Sequence, residues 1–286
     1  MNRIGAFVIF MGIVAMIGSY LHYNIKKESQ SDDSDNSILE IDRWKRDNIM
    51  KWKNTGSGLS LTLLNSLDVK WDGFFDSAVS DWGAAPSLAL SSSKYARPTT
   101  IICNQLSGVM RACNDEYGDT GWLGINEAVY YTYNNTKNEV SGINENIILS
   151  SVVKINDSYL EGASDFKKQY VLCHEIGHGF GLRHRDDDRN NEDLGSCLDI
   201  SNNFTATMRP DSIDFNNLRD LYGNIITSRN LRYDRKERSQ DFEEIKQMSQ
   251  MKHGRKRLLR RSAYTEVYET TFNGGITMIS TLLLHN

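Results

Sequence analysis

Apolar and polar positions divide the chain into distinct stretches. Residues 4–21 carry no charge, with Arg3 before them and Lys26 and Lys27 after. Such a run predicts a targeting segment that meets a membrane, either a cleaved signal or an uncleaved single-pass anchor. Residues 28–37 then contain no apolar side chain and are acidic and serine-rich, which predicts a solvated linker or pro-segment. Ile38, Ile41, Trp44, Ile49 and Trp52 punctuate a charged stretch and predict an amphipathic helix over 38–53. Gly56 and Gly58 break the chain before a strand at 59–69.

From residue 71 to 82, Trp71, Phe74, Phe75, Ala78, Val79 and Trp82 recur at three and four, the mark of a helix with one buried face. Strands are predicted at 87–90, 99–105, 122–131 and 147–155, rich in β-branched and aromatic residues between Gly, Asn and Asp turns. Tyr130, Tyr131 and Tyr133 read as strand surface. Ser164 or Asp165 can cap a helix that runs to about residue 179, and Gly181 can end it by turning left-handed. Beyond Tyr222 the chain is highly charged, and its basic run KHGRKRLLRR (252–261) reads as a solvated loop in preference to a processing or anionic-surface site. Residues 264–284 suit a hairpin about Asn273, Gly274 and Gly275. The divisions that follow are 1–23 signal or anchor, 24–58 linker or pro-segment, 59–225 main folded domain, and 226–286 charged linker and appendage.

With 286 residues and 39% apolar content, one domain of ordinary size plus tails is expected. The net charge of -4 is spread along the chain and argues against nucleic acid as a partner. No glycine-rich phosphate loop is present. Four cysteines suit an oxidising compartment, as Cys103 with Cys113 and Cys173 with Cys197 if neighbours pair. Sequons at Asn134, Asn156 and Asn203 agree with the secretory pathway and an extracellular, or membrane-anchored, destination.

The chemistry gathers in HEIGHGFGLRH, residues 174 to 184. Residues four apart share a helix face, so His174 and His178 can point at one ion. If the helix ends near Gly181, the chain can bend so that His184 supplies a third nitrogen. Three protein ligands leave the fourth position of a Zn2+ ion for water, the catalytic arrangement. Glu175 lies about 100° around the helix from His174, where it can reach the water and serve as general base. Chance production of the five-residue pattern, from this chain's own composition, is on the order of 1 in 100,000.

His174, Glu175, His178, Gly181 and His184 together match the zinc signature HExxHxxGxxH, and on them the chain resembles the metzincin metalloproteases. The segments NEDLGSCLDI (191–200) and GDTGWLGI (118–125) look like those of small secreted microbial metzincin-like proteins, over roughly residues 100–222. The resemblance implies an α+β zincin fold: a five-stranded mixed sheet with two long helices above an irregular lower subdomain. It also implies one zinc per chain, protein or peptide substrates, an edge strand at 121–127 along which an extended substrate pairs, and a Cys173–Cys197 tie from the active-site helix to the lower subdomain. Two positions depart from the family pattern. Leu198 stands where a methionine packs in a turn beneath the metal, with Met208 as a fallback, and Ile200 stands where many members place a tyrosine. Those departures motivate an alternative, a non-catalytic zinc-containing extracellular binding module. Retention of Glu175, which is not a ligand, favours the enzyme.

Overall fold

A computed structural model describes residues 50–54, 56–134, 144–225, 254–272 and 276–285. Strand β1 (Met50–Trp52) is followed by β2 (Leu59–Ser66), in which Leu59, Leu61 and Leu63 alternate inward. Helix α1 (Asp72–Gly83) buries Phe75, Ala78 and Trp82, the 3.6-residue stripe expected of it, with Trp71 buried at its N-cap. Strands β3 (Leu88–Lys94), β4 (Val109–Asp115), β5 (Trp122–Asn134) and β6 (Asn144–Asn156) lead to helix α2 (Asp165–Gly179) and then α3 (Ser212–Tyr222). Three C-terminal strands follow: β7 (Arg255–Arg261), β8 (Thr265–Thr271) and β9 (Ile276–Leu284).

All nine strands among the described residues join one sheet in the order β3-β2-β4-β6-β5-β9-β8-β7, with β1 pairing separately onto β6. Pairing is parallel from β3 to β6 and antiparallel from β6 to β7. The parallel crossovers suit helices that cover hydrophobic strands, and α1 and α2 do so through a core containing Trp71, Trp82, Phe180, Tyr222 and Met110. Trp82 Nε1 donates to the Cys173 carbonyl at 3.1 Å, which fixes α1 against α2.

Several expectations need correction. Helices and a mixed sheet are both present, as the α+β expectation had it, but the sheet formed by the described residues has nine strands, not five. It takes in strands on both sides of the 59–225 span. The 121–127 segment is no edge, because β5 pairs with β6 on one side and β9 on the other. Residues 50–52, read as a helix end, form β1 instead. The strand predicted at 99–105 is a loop, and β4 takes its place in the sheet. Arg111 explains the exchange: it lies buried on β4 and reaches into that loop, to the Asn104 carbonyl at 3.3 Å and the Ala96 carbonyl at 2.9 Å. Within the run read as a loop, residues 255–261 form β7. The 4–21 segment, the 28–37 stretch, most of the 38–53 helix and the 273–275 turn lie outside the described residues.

Candidate metal centre

Helix α2 starts where the sequence placed it, with the Ser164 hydroxyl accepting from the Lys167 amide. Its end is a Schellman motif: Gly181 N donates to the His178 carbonyl at 2.8 Å and Leu182 N to the Gly177 carbonyl at 3.3 Å. Gly181 has φ +87°, and a Cβ there would run into the Met50 carbonyl of β1, so the position demands glycine twice over. This cap turns the chain so that His184 returns to His174 and His178. Their Nε2 atoms lie 3.0 Å apart for 174 and 178, 3.1 Å for 174 and 184, and 2.9 Å for 178 and 184.

Each ring is oriented from its far nitrogen. His174 Nδ1 donates to the Cys197 carbonyl at 2.7 Å, His178 Nδ1 to the Leu182 carbonyl at 2.9 Å, and His184 Nδ1 to Asp187 Oδ1 at 3.0 Å. Those partners only accept, so the proton sits on Nδ1 and each Nε2 presents a lone pair. Burial disfavours the charged form, pushing His178 and His184 down to about 3 and His174 well below the ordinary imidazole value. Three lone pairs thus face one another with no proton among them. That repulsion is relieved by a cation. A point about 2.0–2.1 Å from all three nitrogens exists for a triangle of this size, the zinc–imidazole bond length. The residues fit a zinc ion, and the far-side acceptors supply the outer contacts that orient histidine ligands.

Glu175 is fully buried, and neither of its carboxylate oxygens has a hydrogen-bond partner. Desolvation raises its pKa well above the ordinary carboxylate range. Its backbone carbonyl accepts from Asn126 Nδ2 at 3.0 Å, and the same amide reaches Ser151 Oγ at 2.9 Å. Gly124 of β5 lets the side chain pass, since a Cβ there would stand 2.7 Å from Glu175 Cγ and Oε1. Sequence reasoning missed Asn126 and Gly124. The glycine, inside an otherwise bulky strand, was the available signal of a close approach.

Cys173 is bonded to Cys197, and Cys103 to Cys113. The first bond fastens α2 to the turn that carries the Cys197 carbonyl used by His174. Leu198 follows in that turn, fully buried, and a Cβ on Gly177 would meet its Cδ2 at 2.8 Å. It therefore packs against α2 one residue before His178. Ile200 is buried, and Met208 packs at the core margin. Asn156 is also buried. Its side chain caps the turn beginning at Asp157 and donates to the Gly118 carbonyl, Thr120 Oγ1 and the Trp122 carbonyl. Asn203 is exposed and donates to Asp193 Oδ2 at 2.8 Å. The Asn134 side chain lies outside the described set.

No protein-family model matches the chain, and no curated protein matches it. Among solved structures, a match was found to high choriolytic enzyme 1, a hatching-enzyme zinc protease from the medaka fish Oryzias latipes. The two are 10% identical, the match covers 61% of this chain and 94% of the other, and the TM-score is 0.30. Superposition at that level defines no shared fold, and it is the three histidines that point to a metal.

Proposed function

We propose that this chain is a zinc-dependent endopeptidase. The observation that carries the reading is the convergence of three neutral imidazole nitrogens, each oriented from behind, beside a buried carboxylate that is not one of them. His174, His178 and His184 would hold one zinc ion per chain. The ion held there would supply a Lewis acid for the scissile carbonyl and would lower the pKa of water to about 7. Glu175 takes the proton of the attacking water and returns it to the departing amine. Asn126 holds the main chain of Glu175, and Gly124 leaves its side chain the space to act. Leu198 supports the ligand helix as an apolar residue of methionine-like volume. The two disulfides support action outside the cytosol, with residues 4–21 as the entry signal or anchor. Protein or peptide segments are the proposed substrates, and Asn203 and Asn134 the proposed glycan acceptors.

A second reading has its own observation. Strand β9 fills the side of β5 next to Gly124, and Glu175, His174 and His178 are buried, which favours a closed, non-catalytic zinc module. One experiment separates the two. Metal analysis of purified protein, with peptide-library cleavage by wild type and Glu175→Gln, should give one zinc in both and chelator-sensitive cleavage in wild type alone. Stoichiometric zinc with no cleavage by either protein would leave the closed module standing.

A further inference from the structure

The three histidines are not held alike. His174 and His178 donate to main-chain carbonyls whose positions are fixed locally, by the Cys173–Cys197 disulfide and by the cap of α2. His184 donates instead to a side chain, Asp187, and that carboxylate is gripped by residues 73 and 78 positions downstream. Arg260 of β7 donates to Asp187 Oδ2, and Thr265 Oγ1, at the start of β8, lies 3.3 Å from Asp187 Oδ1. The hydroxyls have a defined direction. Ser262 Oγ accepts the amides of Tyr264 and Thr265 and lies 2.9 Å from Thr265 Oγ1. Its proton therefore goes to Thr265, and the proton of Thr265 goes to Asp187. Beside this contact the Arg189 guanidinium stands 3.8 Å over the Tyr264 ring, so the β7–β8 turn grips the ligand loop at two points.

We propose that Asp187 is a positioning residue for the metal centre, and that Arg260 and Thr265 set it, so that metal affinity is coupled to docking of the C-terminal strands. The proposal rests on the zinc reading above. A carboxylate behind an imidazole fixes its tautomer, orients the ring and raises its basicity. Here that carboxylate keeps its place only while the β7–β8 turn is seated. Coupling is reciprocal, so metal binding also tightens the turn.

The test uses the full chain stripped of metal and reloaded with Zn2+ or Co2+ against a chromophoric chelator. Asp187→Asn should weaken zinc binding by about 10- to 100-fold, the usual effect of losing such a contact. Arg260→Ala should weaken it by a smaller factor, about 3- to 10-fold. Arg260→Lys should restore most of that loss. Arg257→Ala, on the same strand but paired with Glu269, should leave affinity unchanged. The cobalt absorption bands should shift in Asp187→Asn and Arg260→Ala and match wild type in Arg257→Ala, and zinc should slow amide exchange at residues 262–265. If Asp187→Asn does not fold, the Arg260 pair decides the matter, because that side chain is 45% exposed and its loss leaves the core intact. Wild-type affinity and cobalt spectrum in a folded Arg260→Ala protein would overturn the coupling alone. A wild-type chain that takes up no zinc would overturn the zinc reading and the coupling with it.

Discussion

Strands β2, β4 and β6 run parallel and are packed by α1 and α2, with side chains such as Leu63, Met110 and Val153 almost wholly buried. Strands β9, β8 and β7 run antiparallel, and burial fades from one to the next: β9 is buried along most of its length, β8 partly, and β7 hardly at all. Two holds on one sheet are therefore at work. The first region is tied by apolar burial and main-chain caps. In the second, only the strand next to β5 is held that way, and β7 relies on its ladder with β8 and on ion pairs. The proposed metal centre draws on both regions, with His174 and His178 from the first and the grip on Asp187 from the second.

The comparison breaks first on large-to-small changes. Trp82→Ala should cost about 3–5 kcal/mol in denaturant unfolding, since its ring fills the space between α1 and α2 and donates to the Cys173 carbonyl. Leu283→Ala should cost about 2–5 kcal/mol, because Leu283 of β9 reaches the same core although it lies in the second region. A loss well under 1 kcal/mol at Leu283, in a protein that still unfolds in one transition, would show that the C-terminal strands are a loosely added layer.

The same contrast governs what the chain disclosed in advance. Helices α1 and α2 were legible because burial writes a 3.6-residue period into the sequence, and α2 also carries its cap residues and ligand spacing. Strand β2 was legible through its alternating leucines, and β5 and β6 through their β-branched and aromatic residues. Strand β4 was not, because the buried Arg111 interrupts its pattern while the β-branched Thr99, Ile101 and Ile102 advertise a strand that never forms. Strand β7 was hidden for the opposite reason: RKRLLRR is stabilised by pairing and charge, which leave no hydrophobic period. Helix α3 could have been found from its capping box, in which Asp211 accepts the Asp214 amide and Asp214 the Asp211 amide, and from Gly223 at its end. Of the site, the ligands and Glu175 were local in sequence, whereas Asp187, Arg260 and Thr265 are joined only by tertiary folding. Nothing in DDD at 186–188 says which aspartate faces His184.

A smaller effect than core truncation is expected at the helix cap. Gly181→Ala adds a left-handed strain of about 1–3 kcal/mol to a steric conflict with the Met50 carbonyl. Thermal unfolding should show the loss, and zinc affinity should fall with it, because the cap aims both the Leu182 carbonyl and His184. Unchanged zinc affinity would separate the cap from the site and weaken the view that the first region holds its two ligands locally.

A change with pH should follow from Asp199, in the turn beside Leu198. Burial, with Asp186 and Asp193 adding like charge and the Leu194 amide opposing, raises its carboxyl to about 6 from the ordinary 3.8. The folded chain therefore binds this proton more tightly than the unfolded chain does. Its contribution to stability is present below pH 3.8 and is lost as pH rises toward 6. Asp199→Asn keeps an acceptor for the Leu194 amide and removes the titration, so the difference in stability between variant and wild type should move in favour of the variant across that window. A difference that stays flat from pH 4 to 6 would place the charge in a better solvated position than its burial implies.

The smallest effect tests the charged edge itself. Arg257 lies on β7 with its side chain 67% exposed and pairs with Glu269 of β8 at 2.9 Å. Solvent screens such a pair, and Arg257→Ala should cost about 0.2–1 kcal/mol, shrinking further in high salt. That outcome leaves the ladder with β8 as the main hold on β7 and makes Arg260, which reaches a carboxylate behind a ligand, the arginine of that strand with a role beyond it. A salt-sensitive loss well above 1 kcal/mol would instead show that ion pairs hold the edge in place. Salt would then loosen the grip on Asp187 along with the strand, and zinc affinity would fall with ionic strength in the wild-type chain.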